Sequence, residues 1–427
     1  RARGRGGPPN RMRLLVLALE FAASTFSGNG VYCQSQVRAL RGLGHDVMVV
    51  SGGPEGCEPE PEHEHASLLL QIPLPSWGTL DSSCSHREFA AGVAASAILS
   101  AILSFYPDAV LGVDWHALRP YQAMKAAWEA THAAALRDAP GCRAPPLVYM
   151  NYRLHGRTDP ACQALEVEAL GASALSLLLC RADRRAALDM LGTSDGLRPG
   201  PDLRVLLPPL RSDLAGIGAP AAAALAPRRT FLTCAVRVAP EKAPDRFVEL
   251  VEELAHRGAL GNLTPLICGS GWGGAWGTSL AARLLAAAPQ AVVHTRFLGP
   301  AGLAEIFAAT LLNVHPCEQD AYGMTIVEAA SQGAPSLVQG GGQVGATDLL
   351  DPEAGEVFVA DLAQGIPGLA AEVERLVADP QALQRVGAKA REKARSWGEV
   401  DNAHQLATWV EAVVRVQAAA QERESSS

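Results

Sequence analysis

Apolar residues in this chain fall in short unbroken runs separated by amphipathic stretches, and that alternation predicts strands followed by helices. The first run is Leu14–Leu19; a loop ending Ser27-Gly28-Asn29-Gly30 follows, then a stretch of helical spacing from Val31 to Leu43, then a second run at Val47–Val50. Strand, Gly-rich loop, helix and strand make a βαβ unit, which implies a parallel sheet with right-handed crossovers. Further strands are expected at Ala109–Val113, Leu147–Met150 and Val205–Leu207. The uncharged Ala/Ser-rich run Phe89–Phe105 falls short of the ~20 strongly apolar residues a membrane span needs. It is expected as a buried helix carrying Ile98, Leu99, Ile102 and Leu103.

The stretch from Pro208 to Arg229 is rich in Pro, Ala and Gly and has no strong period, after which the alternation restarts. Strands are predicted at Phe231–Val236, Pro265–Cys268, Val292–Leu298, Leu311–His315 and Pro335–Gln339, with a helix at Asp245–His256 and helices in the remaining gaps. The pattern from Leu369 to Ala420 is helical, broken at Asp379-Pro380 and around Trp397-Gly398. These signals divide the chain into a flexible leader 1–11, a first α/β domain 12–210, a linker 211–229, a second α/β domain 230–395, a C-terminal helix 396–420 and a disordered tail 421–427.

Composition supports two domains, since 427 residues exceed what one core usually holds. Hydrophobic content of 48% with a net charge of only -8 leaves ample apolar surface to bury. The basic cluster Arg1, Arg3, Arg5 and Arg11 sits in a Gly/Pro-rich leader and reads as a tail, so no nucleic-acid partner is expected. Nine cysteines lie in apolar contexts and none forms a C-x-x-C pair, which suggests neither a zinc motif nor a redox motif and fits a reducing, cytoplasmic compartment. The chain begins with Arg1 rather than Met, so an upstream targeting segment would be invisible.

In open parallel sheets, ligands bind beyond the carboxyl ends of the strands. The richest loop of this kind runs His315-Pro-Cys317-Glu-Gln-Asp320-Ala-Tyr-Gly323-Met324-Thr325 and enters a helix containing Glu328. Free amides at that helix start make an anion site. Asp320 and Glu328 are suited to accept hydrogen bonds from ribose or sugar hydroxyls; the bland alternative is a turn residue and a helix-dipole residue. Arg237 and Lys242, five residues apart after the strand Phe231–Val236, can converge on a diphosphate and stabilise it as a leaving group; alternatively they form a solvated surface pair. No D-x-D pair occurs, so the charge of a departing diphosphate falls to those cations and not to a carboxylate-held metal, and no metal site is expected. The loop at Gly28 and Gly30 allows close backbone approach but lacks a full G-x-G-x-x-G, because Cys33 stands where the third Gly belongs, which disfavours a nicotinamide dehydrogenase. Asp114 and His116 place a carboxylate and an imidazole at the cleft edge of the first domain, with a helix-capping Asp as the alternative.

Together these segments resemble the retaining glycosyltransferases of family 4, which have the GT-B fold. The resemblance runs from Met12 to about Trp409. Its most specific part is Asp320-Ala-Tyr-Gly-Met-Thr-Ile-Val-Glu328, similar to the family's E-x7-E segment, followed by Gly333-Ala-Pro335. Arg237 with Glu241-Lys242 resembles the family's basic motif, and Leu40–Val50 its ALxxxGHxVxVV stretch. The sequence departs from the family pattern at three points: Asp320 replaces Glu, Val113 stands at a family histidine, and the loop Gly341–Gly345 lacks the family's acid.

The resemblance implies two Rossmann-like doubly wound parallel-sheet domains facing across a cleft, with the C-terminal helix crossing back to the first. It implies that Arg237 and Lys242 bind the donor diphosphate, Glu328 the ribose and Asp320 the donor sugar. Amides near Gly323, Met324 and Thr325 would complete the phosphate site, and those of Gly28 and Gly30 would cap it. The expected activity is metal-independent transfer of a hexose from a UDP-, GDP- or ADP-sugar to a glycan, lipid or small-molecule acceptor, with retention and no tightly bound cofactor. No transmembrane segment is expected, and peripheral membrane contact stays open. The rival readings are a non-catalytic nucleotide-sugar or glycan-binding module and a GT-B epimerase or phosphorylase.

Overall fold

Leu14, Leu15, Val16, Leu17 and Ala18 are all buried. A strand covered on both faces needs such an unbroken run, and a parallel sheet sandwiched by helices provides the cover. The computed structural model describes residues 11–21, 25, 27–56, 66–132, 144–155, 159–192, 202–217, 230–296 and 298–425. The chain divides into two compact units: Arg1–Leu179 with Asp183–Leu206 and Glu399–Ser427, and Leu207–Gly398 with Cys180–Ala182. The expected leader lies outside the described residues up to position 10, and Arg11 pairs with Asp46 at 2.8 Å.

The first unit holds a seven-stranded sheet built from β1 (Arg13–Ala18), β2 (Asp46–Pro54), β3 (Leu68–Leu74), β4 (Ala109–Val113), β5 (Leu147–Asn151), β6 (Leu175–Leu178) and β7 (Leu203–Val205). Their spatial order is β3-β2-β1-β4-β5-β6-β7, and every pairing is parallel. The order reverses between β1 and β4, which is the switch point of a doubly wound sheet. Leu15, Leu17, Val50, Ile102, Trp115 and Trp128 belong to one core of this unit. Each fully buried aliphatic contributes about 1.5–3 kcal/mol. The helix Glu399–Ser425 packs on the helix Gly28–Gly42: Ser35 Oγ donates to Glu399 at 2.5 Å, Arg38 pairs with the same carboxylate, and Asn402 Nδ2 donates to Tyr32 Oη at 3.2 Å.

The second unit repeats the plan with six strands: β8 (Phe231–Ala235), β9 (Thr264–Cys268), β10 (Val292–His294), β11 (Thr310–Val314), β12 (Ser336–Gln339) and β13 (Phe358–Ala360). They lie in the order β10-β9-β8-β11-β12-β13, again parallel throughout, with the switch between β8 and β11. Helix Pro244–His256 lays Phe247, Val248 and Val251 on Leu232, Leu312 and Leu337 of the sheet. Two doubly wound parallel sheets of this kind, one per unit, are the GT-B fold.

Four expectations need correction. The run Phe89–Phe105 forms two helices, His86–Val93 and Ser96–Phe105, bent by 63°, because Ala95 between them is extended. Strands β3, β6 and β13 are not among those the hydrophobic pattern predicts; β3 carries Pro73 at a sheet edge, where a missing donor is tolerated. Residues 211–217 of the expected linker belong to the second unit and include the short helix Ser212–Ala215, while 218–229 lie outside the described residues. The tail expected as disordered continues the last helix through Ser425, in keeping with its Ala, Gln, Glu and Arg content. Among the described residues no single helix is long and apolar enough to cross a membrane.

Candidate functional site

The loop after β11 is built as a rigid frame before any ligand arrives. Arg246, from helix Pro244–His256, donates to Pro316 O and to Glu318, both at 2.6 Å. The loop after β12 braces it from the other side: Asp320 N donates to Gln343 O at 3.1 Å and Gly345 N returns to Asp320 O at 3.0 Å. Gly345 has to be glycine there, because a Cβ would lie 2.1 Å from Ala321 O.

Within that frame Lys242 Nζ donates to Asp320 Oδ2 at 2.6 Å, and His315 Nε2 lies 3.0 Å from the same oxygen. Burial alone would raise the Asp320 pKa, but the Lys242 ammonium and the His315 imidazole outweigh it and hold the carboxyl well below the usual carboxylate range. Burial works against a charged His315, yet Cys317, with Sγ 2.9 Å from Nε2, and Asp320 together lift its pKa to about 9. The result is a buried carboxylate kept ionised between two cationic partners.

The turn then reaches Gly323, at φ +86°, a left-handed conformation that glycine adopts without penalty. Helix Met324–Ser331 starts directly after it with no side chain capping its first turn. Its opening amides therefore point outward as donors, with the positive end of the helix dipole behind them. Glu328, in the second turn, is buried; burial raises its pKa and the guanidinium of Arg211 opposes that rise. Arg211 Nη1 stands 3.7 Å from Glu328 Oε1, while its other nitrogens grip Asp213 at 3.1 and 2.6 Å.

Lys242, Asp320, Gly323, Met324, Thr325 and Glu328 thus occupy one continuous stretch of the second unit around the β11 end. Arg237 is not joined to it: its guanidinium pairs with Glu241 at 2.5 Å and its side chain is 39% exposed. Asp114 and His116 are not displayed at an edge. Asp114, at φ +53°, is buried and accepts from Tyr152 N at 2.6 Å and from Asn29 Nδ2 at 2.8 Å; burial, opposed by the Tyr152 amide, raises its pKa to about 8. His116 is buried against Trp115 with Nε2 3.0 Å from Leu80 O, and burial, with His155 adding to it, lowers its pKa to about 3. Gly28 is exposed at the start of its helix and Gly30 is buried. The helix is capped by Ser27, whose Oγ accepts from Asn29 N at 3.1 Å and donates to Glu20 at 2.6 Å.

Sequence reasoning gave no role to His315, Arg246 or Arg211. His315 was visible as a polar residue at the end of a predicted strand; Arg246 and Arg211 gave no signal, because each acts across a long gap in the chain.

Comparison with known proteins agrees with the architecture. Residues 243–411 match a family model described as glycosyl transferase-like. A D-inositol 3-phosphate glycosyltransferase of Rhodococcus opacus (strain B4) is 27% identical over 206 residues, which is 48% of this chain and 44% of that protein, less than half of its length. Among solved structures, a sucrose-phosphate synthase from Thermosynechococcus elongatus superposes with a TM-score of 0.69 at 15% identity, covering 95% of this chain and 100% of that one. The catalytic domain of starch synthase IV from Arabidopsis thaliana, bound to ADP and acarbose, gives 0.66 at 13% identity, covering 96% and 100%. At these identities the superpositions speak to the fold.

Proposed function

We propose that this chain transfers a hexose from a nucleoside diphosphate sugar to an acceptor hydroxyl, with retention at the anomeric carbon. The observation that carries the reading is Lys242 Nζ fixed 2.6 Å from Asp320, in the loop that leads to an uncapped helix start. An ammonium has three donors and the bond to Asp320 uses one, so two remain for phosphate oxygens. The amides of Met324 and Thr325 take the same diphosphate from the helix side. As the bond to the sugar breaks, negative charge grows on the leaving phosphate, and donors held in place beforehand stabilise it without reorganising.

Asp320 keeps Oδ2 on Lys242 and His315, and its Oδ1 receives a 3.4 Å contact from Tyr322 N, which leaves that oxygen with capacity for a sugar hydroxyl. Glu328 receives the ribose hydroxyls, with Arg211 holding its charge. The acceptor proton passes to the departing phosphate, since no separate base stands among these residues. Arg237 joins the diphosphate by leaving Glu241, an exposed pair of small worth. Solved structures of the same fold hold UDP with glucose in one case and UDP-2-fluoro glucose in another, which favours a nucleotide-sugar donor. Asp114 and His116 enter this reading as supports of the first unit's loops.

A thermal-shift series with UDP-, GDP- and ADP-sugars tests it, because ligand at 100 times its Kd stabilises by about 2.7 kcal/mol. One base should raise Tm clearly, and the anomeric configuration of the product, read by NMR, should match that of the donor. No shift with any donor, together with no donor hydrolysis, would overturn the reading.

A further inference from the structure

His315, Cys317 and Asp320 bring an imidazole nitrogen, a thiol sulfur and a carboxylate oxygen within 4.8 Å of one another. The separations are 2.9 Å from Sγ to Nε2, 3.0 Å from Nε2 to Oδ2 and 3.9 Å from Sγ to Oδ2. A triangle of those sides has a point about 2 Å from every corner, which is the length of a Zn–N or Zn–O bond; the longer Zn–S bond, about 2.3 Å, lifts the ion slightly out of the plane. Nitrogen with thiolate sulfur selects a soft or borderline cation over Mg²⁺ or Ca²⁺. All three ligands belong to one six-residue loop that Arg246 and the Gly345 loop already hold rigid, so ordering them costs little on binding.

We propose that His315, Cys317 and Asp320 form a Zn²⁺ site whose occupation blocks donor use. Asp320 Oδ2 is the shared atom: it binds the Lys242 ammonium in the free protein and the cation in the loaded one. As the ion binds, His315 gives up its Nε2 proton and Cys317 its thiol proton to solvent; the ion then draws on the Oδ2 charge that held Lys242, which loosens that pair and displaces the cation that meets the donor's diphosphate. His315 and Cys317 are buried, while the Lys242 side chain is 23% exposed, so the ion enters past the group it displaces. The inhibitory consequence rests on the transferase reading; the site itself does not.

The test uses the full chain, stripped by chelator and titrated with Co²⁺, which reports a thiolate ligand by a sulfur-to-metal charge-transfer band. The wild type should show a saturable band at one ion per chain, displaced by Zn²⁺. Cys317→Ser and His315→Gln should lose it while keeping the wild-type circular dichroism, and Cys234→Ser, a buried thiol outside the triad, should retain it. In turnover assays Zn²⁺ should slow donor use at least about tenfold in the wild type, a modest demand on a displaced unit charge. Cys317→Ser should lose that inhibition, its rate with saturating Zn²⁺ equalling its own rate without the ion. A wild type without the band, or a band that survives Cys317→Ser, overturns the site. A band that behaves as stated with no nucleotide sugar bound leaves the site standing and removes the transferase reading. Donor turnover indifferent to saturating Zn²⁺ removes the inhibitory coupling.

Discussion

Asp114 and Asp320 follow equivalent strands, β4 and β11, each the neighbour of the first strand across the switch point of its sheet, yet the two carboxylates are treated in opposite ways. Asp320 is met by an ammonium and an imidazole, which keep it charged despite burial. Asp114 accepts from an amide N–H and a carboxamide; these neutral donors, even with the Arg153 guanidinium beside them, do not offset burial and the Glu166 carboxylate, and its pKa rises to about 8. The lesson is that position at a strand's carboxyl end makes a carboxylate a candidate, while the charge of its partners decides whether it works as an ionised group or as a structural tie.

Removing Lys242 tests that contrast most severely. Lys242→Ala should lower kcat by about 10²–10³, the scale for losing one preorganised donor; turnover within a few-fold of wild type would place the diphosphate elsewhere. The next largest effect is expected at Asp114. Its folded pKa is raised above the unfolded value, so its contribution is fully present below about pH 4 and is lost as pH rises through about 8. Across that window its share of stability falls by as much as about 1.4 kcal/mol per pH unit. Asp114→Asn should abolish this slope in denaturant titrations and make the variant the more stable protein at pH 8. An unchanged slope would mean that Asp114 is ionised like Asp320, and the comparison would fail.

Two smaller effects sharpen it. Gly345→Ala presses a methyl against Ala321 O, at 2.1 Å in the present geometry, and should cost about 1–3 kcal/mol in the denaturation midpoint while weakening donor binding through the Asp320 turn. Arg237→Ala breaks an exposed pair and should cost no more than about 0.5 kcal/mol of stability. Its donor Kd should nonetheless rise about tenfold if the guanidinium turns to the phosphate, the scale of one charge-assisted hydrogen bond; an unchanged Kd would leave Lys242 as the acting cation.

Much of this molecule was written in local pattern. Runs such as Leu14–Leu19 and Phe231–Val236 specified buried parallel strands because a strand covered on both faces must be apolar at every position. The stretch from Asp320 to Glu328 marked the loop and helix of the candidate site, since amides at a helix start follow from local geometry alone. Edge strands β3 and β13 escaped notice because an edge demands less burial. The break at Ala95 also escaped notice, because an alanine has no local signal for the extended backbone it adopts there.

The sequence by itself determined the alternation of strand and helix, the two sheets and the identity of the residues around the β11 end. Tertiary structure alone decided which charges meet: Lys242 with Asp320 across 78 positions, Arg211 at the start of the expected linker with Glu328, and Asp114 with Tyr152 and Asn29. Backbone pattern is fixed by neighbours in the chain and can be read along it. Ionisation is fixed by burial and by the charge within a few ångströms, and those neighbours come from wherever the fold brings the chain back.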